Sequence, residues 1–127
     1  MNKNLHKPTE SELQVLAILW KHGPSNVRLV NDKLNQKREV GYTTTLKIMQ
    51  IMNEKGILSR ESEGRTHVYK PAISQEEIQG KLVDRLLETA FGGSASNLVM
   101  QALGNHKSSK EELEKIKDLI KKLEDKS

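Results

Sequence analysis

The chain has 127 residues, no cysteine and a formal net charge of +4. Without cysteine there are no disulfides and no thiolate metal sites, which fits a reducing cytoplasmic location. No apolar run approaches the ~18 residues of a membrane span, and residues 1–7 lack a signal-peptide core. The length allows one compact domain, or a small domain with an appendage. Aromatic content is only 3%, and the apolar content comes from Leu, Ile, Val, Met and Ala. With the periodicity below, this points to a mainly helical protein.

Residues 1–8 read as a frayed arm. Thr9-Glu-Ser-Glu12 is a capping box, in which a hydroxyl and a carboxylate satisfy helix N–H groups reciprocally. Leu13, Leu16, Ala17 and Trp20 then recur at spacings of three and four and predict one core face of a first helix. Gly23-Pro24 ends it. Ser25 is the expected N-cap of a second helix, with Val27, Val30 and Leu34 inward and Arg28 and Lys33 outside that stripe. Residues 35–40 form a polar connector, in which Lys37 and Arg38 are candidates for phosphate contact or for a solvated loop.

Residues 41–56 read as a recognition helix. Leu46, Ile48, Met49, Ile51 and Met52 predict that most of its circumference after the first turn is buried. Its first turn presents Tyr42, Thr43 and Thr44, with Lys47 one turn on. A helix in the major groove offers that end to base edges; Thr can bond several bases or touch a thymine methyl, and Lys can bond guanine. The free N–H groups and dipole of the helix N-terminus also favour phosphate. Gly56 supplies the stop.

A β-hairpin follows, with strands in residues 57–62 and 66–70 joined by Glu63-Gly64-Arg65, where Gly allows a positive φ. Arg65 at the tip, flanked by Arg60 and Lys70, is suited to gripping phosphate or entering a minor groove. Helix, helix, recognition helix and hairpin are the winged helix-turn-helix order. Domain boundaries are expected at 1–73 for this DNA-binding unit and 74–127 for a helical remainder.

In the remainder, Ser74-Gln-Glu-Glu77 and Ser109-Lys-Glu-Glu112 are two further capping boxes. Ile78, Leu82, Val83, Leu86, Leu87, Ala90 and Phe91 form a broad apolar stripe. Residues 92–96 break it, and a short helix follows with Leu98, Val99, Ala102 and Leu103 inward. Residues 104–108 read as a turn. Leu113, Ile116, Ile120 and Leu123, spaced 3, 4, 3, form a short a/d seam. Fifty-four residues bury such stripes poorly alone, so the expectation is pairing with the same segment of a second chain. A homodimer would set two recognition helices on two half-sites of a near-palindrome.

Charge follows the same division. Residues 1–73 hold twelve Lys/Arg against seven Asp/Glu, and residues 74–127 hold nine against ten. The positive balance lies wholly on the half with the recognition helix, as a phosphate-binding face requires. No enzyme signature is present: the four histidines, His6, His22, His67 and His106, form no metal-binding pair, and no nucleophile elbow or phosphate loop occurs. No cofactor or metal is expected.

Residues 9–20, 41–45, 54–58 and 63–71 together resemble the penicillinase-repressor (BlaI/MecI type) family of winged-helix repressors. The resemblance covers most of residues 9–71 in order; the C-terminal half matches in helix pattern and length. It implies a homodimeric repressor of double-stranded operator DNA, with bases read by Thr43, Thr44 and Lys47, Arg65 on the backbone and the C-terminal helices as the dimerisation unit. It further implies release by proteolysis after the first dimerisation helix, by a membrane sensor with a zinc-metallopeptidase domain. The family's Asn-Phe cleavage bond is absent; the corresponding stretch is Gly92-Gly-Ser-Ala-Ser-Asn97, with Ser94-Ala95 nearest. Two alternatives remain at this point: a ligand-responsive winged-helix regulator of the MarR kind, and a winged-helix module that binds protein.

Overall fold

The computed structural model describes residues 7–127. The expected N-terminal arm lies outside the described residues except for Lys7 and Pro8, and Pro8 is buried. Helix α1, Glu10–His22, starts at the Thr9 capping box, with both reciprocal hydrogen bonds formed. It stops at Gly23, whose φ is 83° and whose amide donates to the Leu19 carbonyl at 2.8 Å. The inward face is Glu12, Val15, Leu16 and Leu19. The expected face of Leu13, Leu16, Ala17 and Trp20 is corrected: Ala17 is exposed, and Leu13 and Trp20 are half-buried at the edge of the core. The two stripes share Leu16 and differ by one residue, about 100° of rotation. Contacts beyond the helix select between them. Val15, Leu16 and Leu19 pack into the core on that side, and the Glu12 carboxylate accepts from the Thr9 amide and pairs with Lys55 Nζ at 2.8 Å.

Helix α2, Val27–Leu34, buries Val27, Val30 and Leu34 as expected. Its N-cap is Asn26, whose side chain accepts from the Leu29 amide, rather than Ser25. Ser25 is engaged elsewhere: its backbone exchanges two hydrogen bonds with Tyr69, at 3.0 and 2.8 Å, and its hydroxyl donates to the Gly23 carbonyl. One residue thus acts as a minimal third strand and cannot also cap the helix.

Helix α3, Tyr42–Glu54, ends in a Schellman motif. The Ile57 amide donates to the Met52 carbonyl at 2.9 Å and the Gly56 amide to the Asn53 carbonyl at 3.1 Å, with Gly56 at φ 83°. Strands β1, Leu58–Glu63, and β2, Thr66–Pro71, pair antiparallel from Leu58↔Pro71 to Glu63↔Thr66. Glu63 therefore belongs to the strand, and the turn is the two residues Gly64-Arg65. Only Gly64 has a positive φ, 63°, the pattern of a type II′ turn that matches strand twist. The core joins all these elements: Val15, Leu16, Leu19, Val27, Val30, Leu34, Val40, Met49, Met52, Ile57, Leu58 and Tyr69.

The chain forms two compact units, the first ending at Val83 and the second comprising Asp84–Ser127. Helix α4, Gln75–Ala90, begins in the first and ends in the second. Ser74 caps it by accepting from the Glu77 amide, and Ile78 is its one buried residue. In the second unit, Gly92 and Gly93 both have positive φ, 54° and 85°, and Ser94 caps helix α5, Ala95–Asn105. The expected turn at 104–108 is shorter, since Gly104 and Asn105 are helical. Ser109 caps helix α6, Lys110–Lys126. Neither α5 nor α6 buries a residue within the chain.

Candidate nucleic-acid interface

The outward face of α3 follows from which of its residues the core takes. Thr45, Met49 and Met52 are buried, at successive spacings of four and three. On a helix of 3.6 residues per turn, Thr43, Lys47, Gln50 and Glu54 then point to the opposite side, within about 60° of one another. All four are exposed. Thr44 and Ile51 flank this ridge and are exposed too; Leu46 and Ile48 are half-buried. The expectation that most of the circumference is buried is thereby corrected at Ile51, which is 37% exposed. The core meets α3 from one side, so apolar residues more than about 100° from its centre stay outside.

The first turn of α3 is chemically open. Gly41 precedes it without a side-chain cap, and the turn holds no acidic residue. Its amides keep the unpaired donors and partial positive charge that attract anions. Tyr42, 43% exposed, lies under the Arg28 guanidinium, 5.1 Å from the ring centroid. Arg28 comes from the first turn of α2, and this contact brings a cation to the start of α3. In the sequence Arg28 stands out only as lying outside the core stripe, because a cation–π contact across 14 positions has no periodic signature.

A side-chain amide network, buried at Asn31, fixes where α3 starts. Asn31 Nδ2 donates to the Val40 carbonyl at 3.0 Å and to Thr45 Oγ1 at 2.8 Å. Asn35 holds the same connector from both ends: its Nδ2 donates to the Asn31 and Val40 carbonyls, and its Oδ1 accepts from the Val40 amide. A six-residue polar connector is thus pinned rather than loose, and the first turn of α3 with it.

The remaining candidates separate. Arg65 is exposed at the hairpin tip. Arg60 lies opposite Tyr69, and Lys70 opposite Ser59 on the other face, so the two flanking cations do not share a face. Arg38 donates to Gln14 Oε1 of α1 through Nε and Nη2, at 3.3 and 2.9 Å. Lys37 and Arg38 line a cleft of about 250 Å³ between α1, the end of α2 and the connector, with Lys21, Lys33, Ala17 and Ile18. Lys37, Arg38 and the α3 ridge are therefore not gathered by any described contact. Among the described residues no His, Asp and Glu group could hold a metal, and no helix is long and apolar enough to cross a membrane.

The family model described as Penicillinase repressor matches residues 8–122. The chain is 25% identical over 118 residues to the penicillinase repressor of Bacillus licheniformis, covering 93% of this chain and 92% of that protein. It is 31% identical over 85 residues to the transcriptional regulator BlaI of Mycobacterium tuberculosis, covering 65% of this chain and 62% of that protein. Among solved structures, it is similar to the solution structure of the DNA binding domain of the repressor BlaI, with a TM-score of 0.53 and 28% identity, over 61% of this chain and 93% of that one. Residues 10–71 thus have the winged-helix fold, and the chain belongs to the penicillinase-repressor family.

Proposed function

We propose that the chain represses transcription by binding a near-palindromic operator as a homodimer. DNA binding and repression follow the family and its relatives; the observation that carries the reading here is the first turn of α3, exposed, uncapped and free of carboxylates. In this reading Tyr42, Thr43, Thr44 and Lys47 enter the major groove, and Arg65 and Arg60 of the wing hold the backbone. Lys37 and Arg38 are secondary phosphate contacts on the connector.

Residues 74–127 serve dimerisation. Support comes from side chains the single chain leaves uncovered: Val83, Leu86, Val99, Leu103, Leu113, Leu119, Ile120 and Leu123 are all exposed. Leu82, Leu87, Leu98 and Ile116 are half-buried beside them. Exposed apolar side chains recurring along α4, α5 and α6 are the mark of an interaction surface. Release by proteolysis near Ser94-Ala95, under a membrane sensor metallopeptidase, completes the proposal. It is supported by an exposed Gly92-Gly93 corner between two helices, the kind of site where proteases cut.

Binding of the full chain to its own upstream DNA and to a scrambled duplex, at two salt concentrations, tests the function. Tight, salt-sensitive preference for the native fragment is the expected result. Weak or indiscriminate binding would favour a protein-binding module, or a regulator whose site lies elsewhere in the genome. A second reading, regulation by a small ligand, is favoured by the cleft of about 250 Å³ lined by cations over Ala17 and Ile18. A thermal-shift screen of small anions separates that reading from proteolytic induction.

A further inference from the structure

The ridge of α3 does not end with Lys47. Gln50 lies three residues on, in line with Thr43 and Lys47, and is exposed, with its side chain making no hydrogen bond among the described residues. Ile51 is exposed beside it, on the side of Thr44. Thr43 and Gln50 are seven residues apart, about 10 Å along the helix axis, which matches about three base-pair steps. Glu54 comes next on the ridge and is anionic, so phosphate repulsion closes the readable segment there.

The chemistry of these two side chains converges on one kind of base pair. A glutamine amide carries a donor and an acceptor side by side. Adenine presents the matching pair in the major groove, N7 as acceptor and the N6 amino group as donor. The thymine opposite carries the C5-methyl group, the one apolar feature of the major-groove edge, and apolar side chains contact it. We propose that the third turn of α3 reads A·T pairs, with Gln50 bonded to an adenine edge and Ile51 packed on a thymine methyl. This rests on the proposed seating of α3 in the major groove and specifies what it reads there. Thr43, Thr44 and Lys47 then account for one part of each half-site, and Gln50 and Ile51 for the adjoining part.

The test uses the full-length protein and base analogues. Preferred duplexes are selected from a random pool with the wild type, Gln50→Ala and Ile51→Ala; both positions are exposed, so the variants keep the core. In the wild-type site each adenine is replaced in turn by 7-deazaadenine, which lacks the N7 acceptor, and each thymine by uracil, which lacks the methyl group. The expected result is one adenine per half-site at which the analogue weakens binding about tenfold, with that sensitivity absent in Gln50→Ala. One thymine should be sensitive to uracil in the wild type and insensitive in Ile51→Ala. If the wild type selects a clear motif but both variants select the same motif with the same analogue sensitivities, this inference is overturned and the repressor reading stands. If the wild type selects no motif, both fall together.

Discussion

The side-chain amide of Asn31 in α2 donates to the hydroxyl of Thr45 in α3 at 2.8 Å, and both residues are buried. This bond sets the recognition helix against the helix before it. It lies one turn from the Arg28–Tyr42 stack, so the two contacts together orient the open end of α3. Asn31→Ala should destabilise the fold by about 1–3 kcal/mol, because the Thr45 hydroxyl loses its buried donor. Urea unfolding of Asn31→Ala, Thr45→Val and the double variant checks this. The double variant should cost less than the sum of the singles; strict additivity would mean that the two side chains are not coupled.

Lys47→Ala and Thr44→Ala should lower operator affinity by ~1–3 kcal/mol each if they contact bases. The measurement is binding to the operator and to a random duplex side by side. A loss confined to the operator assigns base readout, and an equal loss on both reassigns that side chain to the phosphate backbone.

Arg65→Ala should weaken binding on every sequence alike and reduce the slope of log affinity against log salt by about one. The hairpin itself should be unchanged, since the turn depends on Gly64 at φ 63°. Titrations at several salt concentrations decide it, and an unaltered slope would take the wing tip out of the interface.

Gly56→Ala should destabilise the winged unit by about 1–2 kcal/mol, the cost of holding an L side chain in the left-handed region. Gly56 sits at φ 83° between α3 and β1, so the damage falls on the junction of helix and wing. Thermal unfolding with and without operator DNA checks the prediction.

Leu119→Asp with Leu123→Asp should convert a dimer into monomers, with helix content retained, because both side chains are exposed within the single chain. Sedimentation analysis gives the oligomeric state and circular dichroism the helicity. A variant that still dimerises would remove α6 from the interface.

The winged order was legible because its signals are local. Thr9 and Glu12 form the full capping box, Ser74 and Ser109 each accept the amide bond from three residues on, and Gly56 stops α3; all act within a few residues of themselves. Ser94 is similar, as the cap between two helices. Misses occurred where a residue had a distant competitor. Ser25 has the chemistry of an N-cap, but Tyr69, 44 positions away, takes its backbone. Glu12 has the chemistry of a surface cap, but it lies on the buried face of α1 and pairs with Lys55, 43 positions away.

The same division holds for the interface. The polar, carboxylate-free start of α3 and the cationic hairpin tip are legible from the residues alone, since both depend only on residue type and turn chemistry. Packing between elements sets the rest: Arg28 stacks on Tyr42, Arg38 turns to Gln14, and Gln50 and Ile51 stay outside. Periodicity shows that a helix has an apolar side, but how much of it is covered depends on the elements packed against it. For α3 those lie on one side, which leaves a ridge longer than its first turn.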